Sequence, residues 1–239
     1  MTPNRGSELI VELLSDPAAF EEKHGPYALL QEYFRGMELD TLRPLLKHPD
    51  VLVQRAAAFI ASELGRKGHS LADAVIPLAQ SPDPDVAYDA TLALTAFSDV
   101  SDSDARNFVH VLHNLEHADE AVRRVTMRMA SNVSLATLLA AGERFSGPSA
   151  TEHAHGLRLV VEAEQHPHKV TDALDHSSPL VRRYAGVAAR RLLKSKPDLI
   201  QKAALSKDHD VREFASLELN PPSIDSVLPP APGETQGDP

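Results

Sequence analysis

Apolar and polar positions recur in one order along most of the chain. Five segments contain a polar turn with Asp or Ser, a valine three residues after it, and further apolar residues four to eleven positions beyond that valine. Apolar side chains at these intervals line one face of an α-helix. We call the valine the anchor of its segment. The anchors are Val53, Val86, Val122, Val181 and Val211.

The spacing of the anchors indicates an internal repeat. Successive anchors are 33, 36, 59 and 30 residues apart, and a weaker copy that begins at Ser146 divides the longest gap if Thr151 is its anchor. Such an interval holds two short helices, which we call helix A and helix B, and helix B carries the anchor. Because one pair cannot bury its apolar face alone, successive pairs must stack. The sequence therefore predicts an all-α protein of about six stacked helix pairs.

Each predicted helix B begins with a residue suited to that position. Asp and Ser accept hydrogen bonds from the free N–H groups of a first helical turn, and Asp also complements the helix dipole. Small alanines four residues after the anchor allow close helix packing. The predicted capping residues are Asp50, Asp83, Asp119, Ser178 and Asp208. The alanines are Ala57, Ala90, Ala185 and Ala215.

The regions outside the repeats differ in composition. Two apolar helices are predicted near residues 7–14 and 26–34, and we expect residues 1–40 to cap the N-terminal end of the stack. The repeats occupy residues 41–219. Residues 220–239 are rich in proline and acidic residues, a composition that is typical of disordered segments.

The recurring features resemble a known repeat family. Prolines in helix A such as Pro44 and Pro77, the Asp-containing turn and the Val-Arg-Arg of helix B are similar to HEAT and HEAT-like repeats. The resemblance implies a right-handed α-solenoid of about six short HEAT-like helix pairs with an N-terminal helical cap, although the period is shorter than the ~40 residues of the standard unit. Residues 29–65 also resemble the start of small bacterial HEAT-like proteins, some of which are similar to immunity proteins of polymorphic-toxin systems.

The composition indicates the kind of core the protein can form and the cellular compartment in which it works. The chain is 42% apolar, enough for a sizeable core, and without Cys it can form neither disulfides nor thiolate metal sites. We find no secretory signal and no long apolar run, so we expect a cytoplasmic protein, and the composition is typical of bacteria.

The net charge of the chain is −10, and residues 1–119 carry 19 acidic against 9 basic side chains. An acidic surface repels phosphates and attracts a basic partner.

Three groups of residues allow a chemical interpretation. His110, His113 and His117 share one helical face and could ligate a metal, or they could be solvated. The same two interpretations hold for the His-x-His pairs at 153/155 and 166/168. A basic run could hold phosphates or an acidic partner, or it could be a solvated face. The run comprises Arg182, Arg183, Arg190, Arg191, Lys194 and Lys196. The sequence holds no P-loop, HExxH or nucleophile-elbow motif, so we expect neither an enzyme nor a bound cofactor.

A contact surface follows from helix geometry. The residue two positions after the anchor lies about 200° around helix B, opposite the buried face, and helix B lines the concave side of a HEAT-type stack. Positions nine after the anchor lie on the same side, and Ser131, Val160 and Arg190 are among them. Arg and Tyr are enriched at interface hot spots. Positions two after the anchor are Arg55, Tyr88, Arg124, His153, Arg183 and Glu213. The predicted contacts with a protein partner are Arg55, Tyr88, Arg124, Arg183 and Arg190.

Three functions compete at this point. The first is a non-catalytic protein-binding solenoid, whose most specific form is an immunity protein that neutralises a toxin by binding it. The second is a nucleic-acid binder or a DNA-repair enzyme like the HEAT-like alkylpurine DNA glycosylases, and its support is the basic run at residues 182–196. The acidic charge and the absence of Trp weigh against it. The third is a HEAT-like lyase or chaperone for a bilin chromophore, which no residue specifies. We expect the first, with a protein partner and no membrane contact.

Overall fold

Every regular element in the described part of the chain is a helix. The computed structural model describes residues 5–220, and the all-α class predicted from the sequence is confirmed there. Three helices come first, one more than predicted: α1 (Arg5–Ser15), α2 (Pro17–Glu22) and α3 (Gly25–Phe34). The predicted disordered tail lies outside the described residues from position 221 onwards. No described helix combines the length and apolar character that a membrane span requires.

Helix pairs follow the first three helices up to the end of the described range. The first two A helices are short and flanked by 3₁₀ turns, at Leu39–Leu42 and at Gly65–Leu71 and Ile76–Gln80. The A helices are α4 (Arg43–Leu46), α6 (Ala72–Val75), α8 (Asp102–His113), α10 (Leu135–Gly142), α12 (Pro167–Ala173) and α14 (Pro197–Ala203). The B helices are α5 (Val51–Glu63), α7 (Pro84–Phe97), α9 (Glu120–Asn132), α11 (Ala150–Glu162), α13 (Pro179–Arg191) and α15 (His209–Leu219).

The predicted caps and anchors are confirmed. All five capping side chains accept a backbone N–H in the first turn of their helix, as Asp119 does from Ala121 at 2.8 Å and Val122 at 3.1 Å. All five anchor valines are fully buried, and so are the alanines four residues after them. Local sequence chemistry therefore sets where each of these B helices begins and which face it buries.

A second set of contacts holds the turn before helix B, and the sequence analysis did not identify it. Five residues before the anchor, a His or Ser side chain accepts the backbone N–H of the capping residue. One residue after the anchor, an Arg or Gln donates to the carbonyl of that same His or Ser. The acceptors are His48, Ser81, His117, His176 and Ser206. The donors are Gln54, Arg123, Arg182 and Arg212.

The weak fourth copy is shifted by two residues from its predicted register. Thr151 is exposed, and His153 takes the anchor position with none of its surface accessible. The buried face of α11 continues through Gly156, Leu157 and Val160. The prediction that His153 and Val160 face outward is therefore wrong. Ser131 is also buried, so it does not line an open surface either.

Packing is sequential in the N-terminal half and changes after α9. The helices α3, α5, α7 and α9 each pack against the next in that order. Beyond this point α9 packs against α13 and α15, whereas α11 packs against α13 and α10. At the crossing of α9 and α13, a Cβ on Gly186 would lie 2.7 Å from Met127 Cε, so the glycine permits the close approach. The last helix therefore covers part of the face that the sequence analysis expected to be open.

Candidate functional site

A groove lies between the first helices and the first two B helices. We call it the N-terminal groove, and it encloses about 330 Å³ between α2, α3, α5 and α7. Its aromatic residues are Phe20, Tyr27, Phe59 and Tyr88. Its charged residues are Glu21, Arg55, Asp85 and Asp89. Two of the predicted contact residues, Arg55 and Tyr88, therefore line this groove.

Exposed aromatic side chains form one wall of the groove. Tyr27 of α3 meets Phe59 of α5 edge to face, with ring centroids 4.8 Å apart, yet the tyrosine is 58% exposed. Tyr88 of α7 is 38% exposed. Aromatic rings that stay accessible beside carboxylates can contact the apolar part of a ligand while attracting a cation to their faces.

Arg55 lines the N-terminal groove, and acidic neighbours hold its side chain in place. Its guanidinium donates to Asp83 at 2.7 Å and lies 3.2 Å from Asp85. The hydrogen bond to Asp83 raises the pKa of Arg55 and lowers the pKa of Asp83. Since Asp83 also caps α7, Arg55 ties helix B of one pair to the start of helix B in the next. Its first role is structural, and only part of its side chain faces the groove.

Asp89 is the unusual group in this groove. It is half-buried, and no described residue donates a hydrogen bond to its carboxylate or forms an ion pair with it. Partial burial, and then the negative charges of Asp85 and Glu63, raise its pKa from 3.8 to about 7. Withdrawing a carboxylate from water without giving it a partner is costly. A cation that entered the groove would supply the missing partner.

A second hollow continues from Tyr88 towards the C-terminal half. It encloses about 200 Å³ between α7, α9 and α15, and its apolar floor includes Phe214 and Leu217. The predicted contact Arg124 lies on its edge, 3.4 Å from Glu120. Tyr88 lines both hollows, so Arg55, Tyr88 and Arg124 do lie along one surface. This part of the predicted contact row is brought together by the fold.

The other two predicted contacts are engaged within the protein. The Arg183 guanidinium lies 3.0 Å from Asp210 and donates to the carbonyl of Leu115 at 2.6 Å, and only 15% of its side chain is exposed. Arg190 pairs with Glu218. The prediction that Arg183 lies on an open face is wrong, because α15 packs against it.

The arginines of the basic run contact neighbouring helices and do not form a solvated face. Asp208 pairs with Arg182, and Asp210 pairs with both Arg183 and Arg123 of α9. Arg191 donates to three backbone carbonyls at the end of α9, at Ala130, Ser131 and Val133. The four arginines of the run thus join α9, α13 and α15. Lys194 and Lys196 remain exposed.

The three histidines predicted to share one face do not form one site. His117 is used by its turn, since Nδ1 accepts the Asp119 N–H at 3.0 Å and Nε2 lies 3.1 Å from the Ser81 carbonyl. Burial lowers the pKa of His110 and of His113. His113 instead meets His153 of α11, whose pKa burial lowers to about 4.

Neither of two comparisons with known proteins identifies the chain. No protein-family model matches it, and no curated protein matches its sequence.

Proposed function

We propose that this chain is a non-catalytic protein-binding module that holds a basic segment of a partner in its N-terminal groove. The observation that carries the proposal is Asp89, a half-buried carboxylate in the groove that lacks a partner among the described residues. A Lys or Arg side chain of the partner would pair with it. The aromatic rings of Tyr27 and Tyr88 would contact the aliphatic stem of that side chain.

The charges around the groove favour a cationic ligand. Glu21, Asp85 and Asp89 line the groove together with Arg55, and Arg55 is already paired with Asp83 and Asp85. The whole chain carries a net charge of −10, and residues 1–119 contain 19 acidic against 9 basic side chains. Such a surface accelerates encounter with a basic partner and discriminates against an acidic one.

The shape of the two hollows favours an extended segment over a small ligand. They share Tyr88, and together they run from α2 across α7 to α15. A short stretch of chain could place a cation beside Asp89 and apolar side chains against Phe214 and Leu217. Aromatic and apolar anchors with a charged rim are typical of protein interfaces.

This proposal extends the family resemblance seen in the sequence. The chain would be a short HEAT-like solenoid in a bacterial cytoplasm, and the partner would be a toxin that the protein neutralises by covering a basic surface. A protein that neutralises a toxin by binding it needs affinity for the toxin but no catalytic group. An interface built from paired charges and aromatic rings can supply that affinity.

Nucleic-acid binding is not favoured by the basic run that suggested it. Its arginines are paired with Asp208, Asp210 and Glu218 or with backbone carbonyls. Phosphates bind through free cationic groups, and few remain on this face.

The proposal is tested by removing the groove charges. The wild-type protein is used to capture partners from its native host, and affinity for each captured protein is measured by calorimetry with Asp85→Asn/Asp89→Asn. We expect at least a tenfold loss of affinity, together with weakening at high salt. The matched control is Asp99→Asn/Asp175→Asn, which removes the same charge from exposed carboxylates outside the groove. Equal affinities for the wild type and both variants would exclude the groove as the binding site.

A further inference from the structure

Two histidines and a glutamate meet where α8 approaches α11. His113 is the last residue of α8, Glu116 lies in the 3₁₀ turn that follows it, and His153 lies in α11. One ligand atom from each side chain lies within 4.8 Å of the others. The shortest separation is 3.1 Å, between His153 Nε2 and Glu116 Oε2. Neither the N-terminal groove nor the second hollow involves these residues.

The His153 ring is fixed from several directions. None of its surface is accessible, and the Phe145 ring stacks on it at a centroid distance of 4.2 Å. Its Nδ1 lies 2.8 Å from the hydroxyl of Tyr184, which is itself fully buried. Metal-binding histidines commonly use the second ring nitrogen in this way, because the hydrogen bond sets the orientation of the ring. The arrangement presents Nε2 towards Glu116 and His113.

The other two side chains are arranged to approach the same point. The His113 ring meets His153 edge to face, with centroids 5.2 Å apart. Glu116 Oε1 accepts a hydrogen bond from the Ser149 hydroxyl at 2.9 Å. Glu116 Oε2 is therefore left to face His153 Nε2. Glu116 is 40% exposed, so the cluster can be reached from solvent on this side.

We propose that His113, Glu116 and His153 bind one zinc ion and leave a fourth position open to water. Zinc prefers tetrahedral sites built from imidazole nitrogens and carboxylate oxygens, with bonds of about 2.0–2.1 Å. That geometry separates neighbouring ligand atoms by roughly 3.3 Å. His153 Nε2 and Glu116 Oε2, which are 3.1 Å apart, already stand close to this spacing, and the ligand atom of His113 lies within 4.8 Å of both.

A competing role for the same residues is a hydrogen-bonded staple. The neutral His153 can donate from Nε2 to Glu116 and accept at Nδ1 from Tyr184, which satisfies every polar atom of the ring. The two roles differ in their response to metal. A staple does not respond to zinc, whereas a site binds one ion per chain.

The test uses the full chain, stripped with a chelator and titrated with Zn²⁺ by calorimetry. We expect one ion per chain with a Kd below roughly 10 µM and a rise in Tm. Co²⁺ in place of zinc should give the visible absorption of a four-coordinate centre. Glu116→Gln is the decisive variant, because the amide can still hydrogen-bond with both Ser149 and His153, with the direction of one bond reversed, yet ligates zinc poorly. We expect it to weaken zinc binding at least tenfold while leaving the zinc-free Tm unchanged.

A matched control is His166→Ala/His168→Ala, which removes two histidines that contact each other and do not belong to the cluster. This variant should bind zinc as the wild type does. The proposal is overturned if the wild type shows no stoichiometric binding, if Glu116→Gln binds with unchanged affinity, or if the control variant abolishes binding. Since the proposed protein interface lies elsewhere, the result does not depend on the N-terminal groove.

Discussion

Replacing Asp89 by Asn should stabilise the protein near pH 8 and have a much smaller effect near pH 4. The carboxyl group has a pKa of about 7 in the folded protein, against an ordinary value of 3.8. At about 1.36 kcal/mol for each pKa unit, this difference corresponds to roughly 4 kcal/mol at most. Because water reaches the groove, we expect about 1–3 kcal/mol of this to be measurable.

The sign of the pH dependence follows from proton binding. Below the unfolded pKa both states hold the proton, so the buried carboxyl carries no charge penalty. Between about pH 4 and 7 the unfolded chain releases the proton while the folded chain keeps it, so the contribution of this group to stability falls as pH rises. Above pH 7 the folded protein bears the full cost of the buried charge, which Asn removes.

The assay is urea denaturation followed by circular dichroism at several pH values. The advantage of Asp89→Asn over the wild type should grow from low to high pH, whereas Asp99→Asn, which removes an exposed carboxylate, should show no such trend. Asp85→Asn should lower the pKa of Asp89 and reduce the advantage, because the charge of Asp85 helps to raise that pKa. A pH-independent difference between Asp89→Asn and wild type would refute the account of this group.

Two further substitutions test the packing of the C-terminal half. Gly156→Ala should destabilise by about 1–3 kcal/mol in thermal denaturation, although Ala is the better helix former, because its Cβ would lie 2.0 Å from the buried Tyr184 ring. An unchanged or raised Tm would mean that α11 and α13 are not so close. Asp210→Ala should cost about 3–5 kcal/mol, because it removes a buried carboxylate and leaves the half-buried Arg123 and Arg183 without their counter-charge. Burial acts to raise the pKa of Asp210, but the hydrogen bond and charge of Arg123 hold it below the usual value, so this contribution should disappear in acid. Denaturation curves that coincide for this variant and the wild type would contradict the assignment.

The sequence predicts those features of the fold that depend on neighbouring residues. Capping by Asp50 or Asp119 and burial of the anchor valines are properties of one helix and its first turn, so a single segment reveals them. The fourth copy was misplaced because its anchor position holds His153, a polar residue that is buried only through partners far away in the chain. No sequence pattern within residues 146–160 indicates those partners.

The candidate site was predicted in part for a similar reason. Helix geometry correctly placed Tyr88 on an accessible face, but the same rule placed Arg183 there as well. The difference lies in α15, which covers α13 and α9 and which no pattern within α13 could indicate. Asp89 and Tyr27 were missed because the groove is assembled from separate helices, although an acidic residue beside the predicted contact Tyr88 was a usable signal.

The contacts of α9 with α13 and α15 affect how the chain folds. A stack in which each pair touches only its neighbours can unfold from its ends, one repeat at a time. Here Asp210 of the last helix neutralises arginines on α9 and α13, which lie up to 87 residues away along the chain. Loss of α15 would uncover those charges, so the final helix cannot fray independently of the helices it covers. Residues from α9 to α15 should therefore exchange their amide protons as one cooperative unit, in contrast to the graded protection of a simple repeat array.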